Sequence, residues 1–233
     1  MAEILKIDYN DYVELIGTAH FTRRSINDAY ESVTSFHPQD IALELDWRRF
    51  RKLNTACLSC PRPASCNGLC EFIAATDALG NADANIWLID MTEQEMRQRI
   101  SSSMTPFERL NIGHSRYRYA VENPLQLWER GLKERVLHNS KREIARNRRF
   151  FPSVWRVLID ERNALMAVRL AWIASKNLND GKTPRILTFV GAAHVEGIRD
   201  LLRSPLQLRE TMMHFNLSFA EPTLIRRVAV QVT

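Results

Sequence analysis

Four polar residues in this chain stand at or just beyond the ends of short apolar runs, in positions suited to metal or acid–base chemistry. His20 and His194 each close a Gly-x-x-His segment, and Glu44 and Asp90 follow two further apolar runs. Neutral imidazole and carboxylate are the usual ligands of zinc and similar divalent ions. Two histidines and one carboxylate leave a coordination position for water, whose pKa the metal lowers. The set of four therefore predicts a metal-centred site, although each residue alone is more typical of a helix cap or a solvent-facing position.

Two roles stay open for Glu44 at this stage. It is either a third metal ligand beside His20 and His194, or a general base that activates water, with Asp90 completing the ligand set. Zinc, manganese and cobalt all suit such a nitrogen and oxygen donor set. The sequence does not choose between these roles or between these metals.

The four groups converge only if the apolar runs before them are neighbouring strands of one sheet. The pattern predicts strands over residues 12–16, 40–45, 85–89 and 185–190, alternating with helices. Such alternation is typical of βαβ units and an α/β fold with a mostly parallel sheet. Open parallel sheets bind ligands beyond the carboxyl ends of their strands, which is where these residues fall.

The remaining segments complete one predicted domain over residues 1–233. The pattern is helical through most of 105–180, which we interpret as an insertion packed over the sheet. Ser25 and Thr92 are predicted to cap the helices that follow the first and third strands. Two late apolar runs, 211–217 and 224–232, predict a short C-terminal pair of edge strands.

Five stretches fall in the order and spacing of a known family: ELIGTAHFTRRS, IALELD, IWLID, VLIDERNALMA and TFVGAAHVEGI. Together they resemble the TraB family, which includes the pheromone-shutdown proteins, and they are more remotely similar to the Tiki metalloproteases and to the erythromycin-esterase and ChaN-like group. The resemblance implies a metal-dependent hydrolase acting on a peptide or small-molecule substrate. It implies His20, Glu44 and His194 as the site, with Arg162 as a further member. Met91 departs from the family, which often has an arginine at that position.

The four cysteines lie close together, as Cys57, Cys60, Cys66 and Cys70. Four thiolates at such spacing predict a metal-binding loop over residues 56–71 that holds either a [4Fe–4S] cluster or zinc. Pro61, directly after Cys60, favours iron–sulfur slightly, and a structural role is favoured over electron transfer. Disulfides would need an oxidising compartment, which nothing in the sequence indicates.

The composition is that of an ordinary globular protein, with 45% hydrophobic and 25% charged residues and a net charge of +5. No apolar run approaches the roughly 18 residues of a membrane-spanning helix, and no signal peptide is visible, so a cytoplasmic protein is expected.

Two other functions remain open. The pocket could sequester a peptide, metal or cofactor without turnover. A basic segment, 130–149, could instead bind nucleic acid, although charge runs are usually solvated helix faces. Four histidines have no partner at ligand spacing and are predicted to be ordinary surface or core residues: His37, His114, His138 and His214.

Overall fold

A five-stranded mixed sheet forms the centre of the computed structural model, which describes residues 7–20, 22–58, 70–80, 82–112 and 123–226. The strand order is β1-β4-β2-β3-β5, with the first four strands parallel and β5 antiparallel to β3. The strands β1 to β5 are Val13–Thr18, Asp40–Leu43, Asn85–Leu88, Ile186–Gly191 and Thr223–Arg226. The predicted α/β class and mostly parallel sheet are confirmed.

Helices occupy most of the remaining described chain. In order, α1 to α6 are Arg23–Phe36, Trp47–Leu58, Cys70–Ala78, Glu93–Ser103, Pro106–Ile112 and Pro124–Glu129. The helices α7 to α11 are Lys133–Arg148, Pro152–Trp155, Arg162–Asn179, Val195–Leu202 and Pro205–His214. A π-helical turn, Arg156–Glu161, joins α8 to α9. Within the described ranges, no helix is both long and apolar enough to cross a membrane.

The pairing of β1 with β4 fixes the geometry of the candidate site. Thr18 lies opposite Gly191 in this parallel ladder, so the two Gly-x-x-His segments leave adjacent strands at the same edge of the sheet. The strand β4 is buried along its whole length, as is β2 beside it. Continuous apolar strands of this kind are typical of a parallel sheet covered on both faces.

Two separate cores cover the two faces of the sheet. On one face, α9, α10 and α11 pack against side chains such as Leu15, Trp87 and Val190. On the other, α1 and α3 pack against side chains such as Leu43, Leu88 and Phe189. The sheet is therefore the middle layer of three. Because both faces are covered, a ligand can reach the sheet only at the ends of its strands.

Local signals explain most helix boundaries. Thr92 caps α4 as predicted, because its side chain accepts a hydrogen bond from the backbone N–H of Glu95. The cap of α1 is Thr22 rather than Ser25, whose backbone N–H donates to the Thr22 hydroxyl. The helix α1 ends at His37, which adopts a left-handed conformation before Pro38.

The predicted strand over residues 211–217 is wrong. Residues Pro205–His214 form the helix α11, with Pro205 in its first turn and Ser204 as its cap. Leu208 and Met212, four residues apart, are its buried side chains, which is helical spacing. The C-terminal strand β5 does pair, but with β3.

A buried carboxylate ties the amino-terminal end of the sheet together. Asp40 accepts hydrogen bonds from Asn85 at 3.0 Å, Trp87 at 2.7 Å and Asn177 at 2.8 Å. It lies at the start of β2, at the opposite end from Glu44. Asp40 therefore joins two strands to α9 without taking part in the candidate site.

We expect Asp40→Ala to lower the free energy of unfolding by about 2–4 kcal/mol, because it leaves buried donors on Trp87 and Asn177 unpaired. Urea denaturation measures this loss. The exposed Asp83→Ala, in the loop before β3, is the matched control and should change stability by less than about 0.5 kcal/mol. Equal stability of the two variants would contradict this role for Asp40.

Candidate functional site

The polar residues at the strand ends lie side by side in space. Because β4 lies between β1 and β2, the spatial order of the groups that follow the strands is His20, His194, Glu44 and Asp90. Residues up to 174 positions apart in sequence thus share one edge of the sheet. The strand order therefore brings these four groups together at one edge of the sheet, as the sequence predicts.

His194 is buried, and both of its ring nitrogens have neighbours. Its Nδ1 lies 2.6 Å from the Asn163 side-chain oxygen, so Nδ1 carries the hydrogen. Its Nε2 lies 3.2 Å from an Arg162 nitrogen and 3.4 Å from Glu44 Oε1. Gly197 makes room for this arrangement, since a Cβ there would overlap the Asn163 amide. Burial lowers the pKa of His194, which favours neutral imidazole with a lone pair on Nε2.

His20 is held in the same way by a different partner. Its Nδ1 lies 2.6 Å from Oε1 of Glu71, a fully buried residue at the start of α3. The His20 side chain keeps 32% of its surface exposed, so it can be reached from solvent. Burial lowers the pKa of His20, but the hydrogen bond and negative charge of Glu71 outweigh it, so that the pKa is raised overall.

Gly191 marks the point at which the two imidazoles and the carboxylate face one another. A Cβ at Gly191 would lie 3.3 Å from Glu44 Oε2, 3.4 Å from His20 Nε2 and 3.6 Å from the His194 ring. The Gly191 N–H donates to Glu44 Oε2 at 2.5 Å, which orients the carboxylate. The absence of a side chain here keeps a small space open beside Glu44 Oε2 and His20 Nε2, with the Cδ2 edge of the His194 ring next to it.

Arg162 is the centre of a buried ion network. Its guanidinium donates to both oxygens of Asp90, at 3.0 and 2.7 Å, and to Glu44 Oε1. Burial would raise the pKa of Asp90, but Arg162 and then Arg49 hold it well below its usual range. Burial lowers the pKa of Arg162, and the same carboxylates outweigh it, so its pKa is raised. Asp90 and Arg162 are therefore both charged.

Two members of this network, Arg49 and Asp46, were not among the predicted site residues. Arg49, on α2, donates to Asp90 at 2.5 Å and to Asp46 at 2.6 Å. It also donates to the Met91 carbonyl at 3.2 Å, so a guanidinium reaches this position from α2. No local sequence pattern marks Arg49, which reaches the site only through the fold.

The described ranges contain no group of three His, Cys, Asp or Glu side chains arranged to hold a metal ion as they stand. Arg162 supplies a physical reason. Its guanidinium already contacts Glu44 Oε1 and His194 Nε2, the two acceptors that a cation would use. The donor chemistry nevertheless fits a divalent ion, because both imidazoles are fixed through Nδ1, as metal-ligating histidines almost always are.

The predicted cysteine loop falls largely outside the described residues. Cys57 lies in α2 and Cys70 begins α3, while Cys60, Cys66 and the side chains of all four lie outside them. His114 lies outside them as well. The helices α2 and α3 pack against each other, so the cysteine segment connects two helices that carry Arg49 and Glu71.

The basic segment forms α7, and part of its charge is engaged within the molecule. Lys133 pairs with Asp28, Lys141 with Glu196, and Arg148 with Asp160. Such pairing reduces the charge offered to a nucleic acid. The helix α6 just before it contributes the buried Leu127 and Trp128 to a small core, against which Ala19 and Ala192 of the two Gly-x-x-His segments pack.

Comparison with known proteins gives one informative relative. The chain is 29% identical over 214 residues to the uncharacterized protein MJ1365 of Methanocaldococcus jannaschii. The match covers 80% of this chain, which spans about half (52%) of the length of that relative. No family model matches the chain, and no solved structure matches it significantly.

The burial of His194 predicts a pH-dependent contribution to stability. The unfolded chain takes up a proton at this residue as the pH falls below about 6.5, whereas the folded chain resists protonation until lower pH. Folding is therefore progressively disfavoured as the pH falls through that range. We expect His194→Gln to lose less stability than the wild type between pH 8 and pH 5, measured by urea unfolding.

The substitution His138→Gln, on the exposed face of α7, serves as the reference for this measurement. The slope of unfolding free energy against pH in His194→Gln is compared with the slope in His138→Gln. Parallel stability curves for the wild type and His194→Gln would show that His194 does not resist protonation in the folded chain.

Proposed function

We propose that the chain is a hydrolase of the kind the TraB resemblance implies, which binds a divalent metal ion at the strand ends through His20, His194 and Glu44. Its substrate would carry a peptide or ester carbonyl. One observation carries the proposal. Two imidazoles, each fixed through Nδ1 by a buried acceptor, lie with the Glu44 carboxylate around the space beside Gly191.

The charge of the site also favours a cation. Four buried carboxylates surround it, and three guanidiniums oppose them: Glu44, Asp46, Glu71 and Asp90 against Arg49, Arg162 and Arg169. Because histidine binds a metal ion in its neutral form, one negative charge is in excess when both histidines are ligands. A divalent ion would offset this excess in a setting where unpaired buried charge is costly.

Arg162 sets a condition on metal binding. A cation on Glu44 and His194 competes with the guanidinium for the same two acceptors, so Arg162 must release them. The bidentate contact with Asp90 can hold the side chain nearby during that exchange. The metal affinity of this site is then the difference between two free energies: that of a cation on Glu44 and His194, and that of the Arg162 guanidinium on the same two acceptors.

The residues divide the chemistry as follows. When bound, the ion would lower the pKa of water and polarise the substrate carbonyl. Arg162, oriented by Asp90, offers N–H donors to a developing oxyanion or to a substrate carboxylate. His20 is the member of the set with solvent-accessible surface, so substrate enters on its side. Glu44 is a ligand or the general base, and these alternatives make different predictions.

Mn²⁺ separates this site from the cysteines, because it is a hard ion that prefers oxygen and nitrogen donors to thiolates. We expect the protein to bind about one Mn²⁺ per chain, followed by electron paramagnetic resonance, and His194→Ala to lose it. Gly191→Ala should weaken binding by about 10-fold or more, because its methyl group fills the space between the donors. Thermal unfolding of Gly191→Ala, compared with that of the wild type, shows whether this variant is folded.

The substitution Glu44→Gln, which keeps size and removes charge, distinguishes the two roles of Glu44. If Glu44 is the base, Mn²⁺ binding should survive while hydrolysis of a mixed peptide and ester library slows by about 10²–10⁴-fold. If it is a ligand, Mn²⁺ binding falls too. A wild type that binds no metal at the histidines and hydrolyses nothing with zinc, manganese or cobalt added would overturn the proposal and favour a binding module.

A second proposal concerns the cysteines, which we propose to form one four-thiolate site. The placement of Cys57 near the end of α2 and Cys70 at the start of α3 supports it, because these helices pack together and the site would join their ends. Metal-coupled folding of the loop would then stabilise both helices. Either a [4Fe–4S] cluster or zinc satisfies such a ligand set.

Anaerobic purification with elemental analysis and a visible spectrum tests this proposal. A brown protein with broad absorption and about four irons per chain is the expected result, and a colourless protein with about one zinc would select the alternative metal. Cys66→Ser should release most of the bound metal. Two disulfides in reduced, anaerobic protein would overturn the four-thiolate site.

A further inference from the structure

Glu71 is a buried acid, and no pattern in the neighbouring sequence predicts its burial or its contacts. The residue is fully buried in the first turn of α3, directly after Cys70. Its Oε1 lies 2.6 Å from His20 Nδ1 and accepts a longer hydrogen bond, 3.4 Å, from the Thr18 hydroxyl. Its Oε2 has no hydrogen-bond partner among the described residues. A buried carboxylate that finds a close hydrogen-bond partner for only one oxygen within the described ranges is costly to the fold, which points to a role beyond packing.

Packing does not require Glu71. The helix α3 is held to the sheet by its buried apolar side chains Phe72 and Ala75, and by the buried Leu79 directly after the helix. The contact of Glu71 with Thr18 is too long to contribute much stability. The close contact to His20 is the interaction that distinguishes this residue from an ordinary helix position.

We infer that Glu71 is the positioning residue of the metal site: it fixes the hydrogen of His20 on Nδ1 and so directs Nε2 toward the space beside Gly191. This inference rests on the proposed function. A carboxylate behind a histidine ligand fixes the ring orientation and makes the ring a stronger donor to metal. With a metal ion at His20 Nε2, Glu71 and His20 would form a carboxylate–histidine–metal relay whose carboxylate is supplied by α3.

The two histidines of the site are then unequal. The partner of His20 is an anion, whereas the partner of His194 is the neutral amide of Asn163. His194 also shares its Nε2 with Arg162. His20 is therefore the stronger donor of the two, and Glu71 is the reason for that difference.

We expect Mn²⁺ affinity to decrease in the order wild type, Glu71→Gln, Glu71→Ala. The amide oxygen of the glutamine variant can still accept from Nδ1, so it should lose about 10-fold, whereas the alanine variant should lose up to about 100-fold. Asp77→Asn and Asp77→Ala, on the exposed side of the same helix, are the matched controls and should bind Mn²⁺ like the wild type. Thermal unfolding of each variant shows whether it is folded.

A second readout follows the imidazole directly. Nitrogen-15 NMR of the metal-free protein, recorded at a pH high enough for the His20 ring to be neutral, should show His20 in the Nδ1–H form in the wild type and a mixture of tautomers in Glu71→Ala. A folded Glu71→Gln that binds Mn²⁺ as tightly as the wild type, with Glu71→Ala unfolded, would make the role structural and overturn the inference.

The failure of this inference differs from the failure of the proposed function. Equal Mn²⁺ affinity in the wild type and the folded Glu71 variants overturns the inference alone. A wild type without any Mn²⁺ bound at the histidines overturns the proposed function, and the metal-positioning role falls with it.

Discussion

The contact between Arg162 and its two carboxylates is the interaction on which the strand-end site depends. Glu44 ends the β2 segment and Asp90 follows β3, while Arg162 begins α9, so one guanidinium joins two strands to the helix that crosses them. Burying these charges costs several kcal/mol for each ion and is stable only while every charge keeps a partner. Without Arg162, two neighbouring buried carboxylates would repel each other, and the orientation of Glu44 would be lost. The same contact governs the chemistry, since it competes with any cation that Glu44 and His194 could hold.

The rest of the fold holds that contact in place. The helix α9 is anchored along its length by buried side chains on the sheet, among them Leu165 and Leu170. A π-helical turn comes directly before it, and the Leu158 carbonyl within that turn accepts a hydrogen bond from Arg162 at 3.2 Å. Single π-helical turns inside helices are frequent at functional positions. On the other side of the sheet, α3 delivers Glu71 to His20. Each member of the site is thus carried by an element whose position is set by a hydrophobic core, which is the arrangement that preorganised sites require.

Much of the fold and part of the site could be predicted from local patterns. The four parallel strands were predicted to within a few residues because β2 and β4 are short continuous apolar runs, and the cap at Thr92 follows from its own side chain. The error over residues 211–217 has the same local origin. A short apolar run does not distinguish strand from helix, and the decisive signal was the proline at position 205 with the buried pair Leu208 and Met212. The metal, the reaction and the TraB resemblance stay predictions.

By itself, the sequence determined which groups stand at the ends of the strands: His20, Glu44, Asp90 and His194 each follow an apolar run within a few residues. Only the tertiary structure decided what surrounds them. Glu71 and Arg49 lie on helices whose sequence marks neither as part of a site, yet one reaches His20 and the other Asp90. The physical reason is the range of the forces involved. Hydrogen-bonding propensity and hydrophobic periodicity act over a few residues and can be read along the chain, whereas ion pairing between buried groups depends on strand order and helix rotation, which are set by the packing of the whole molecule.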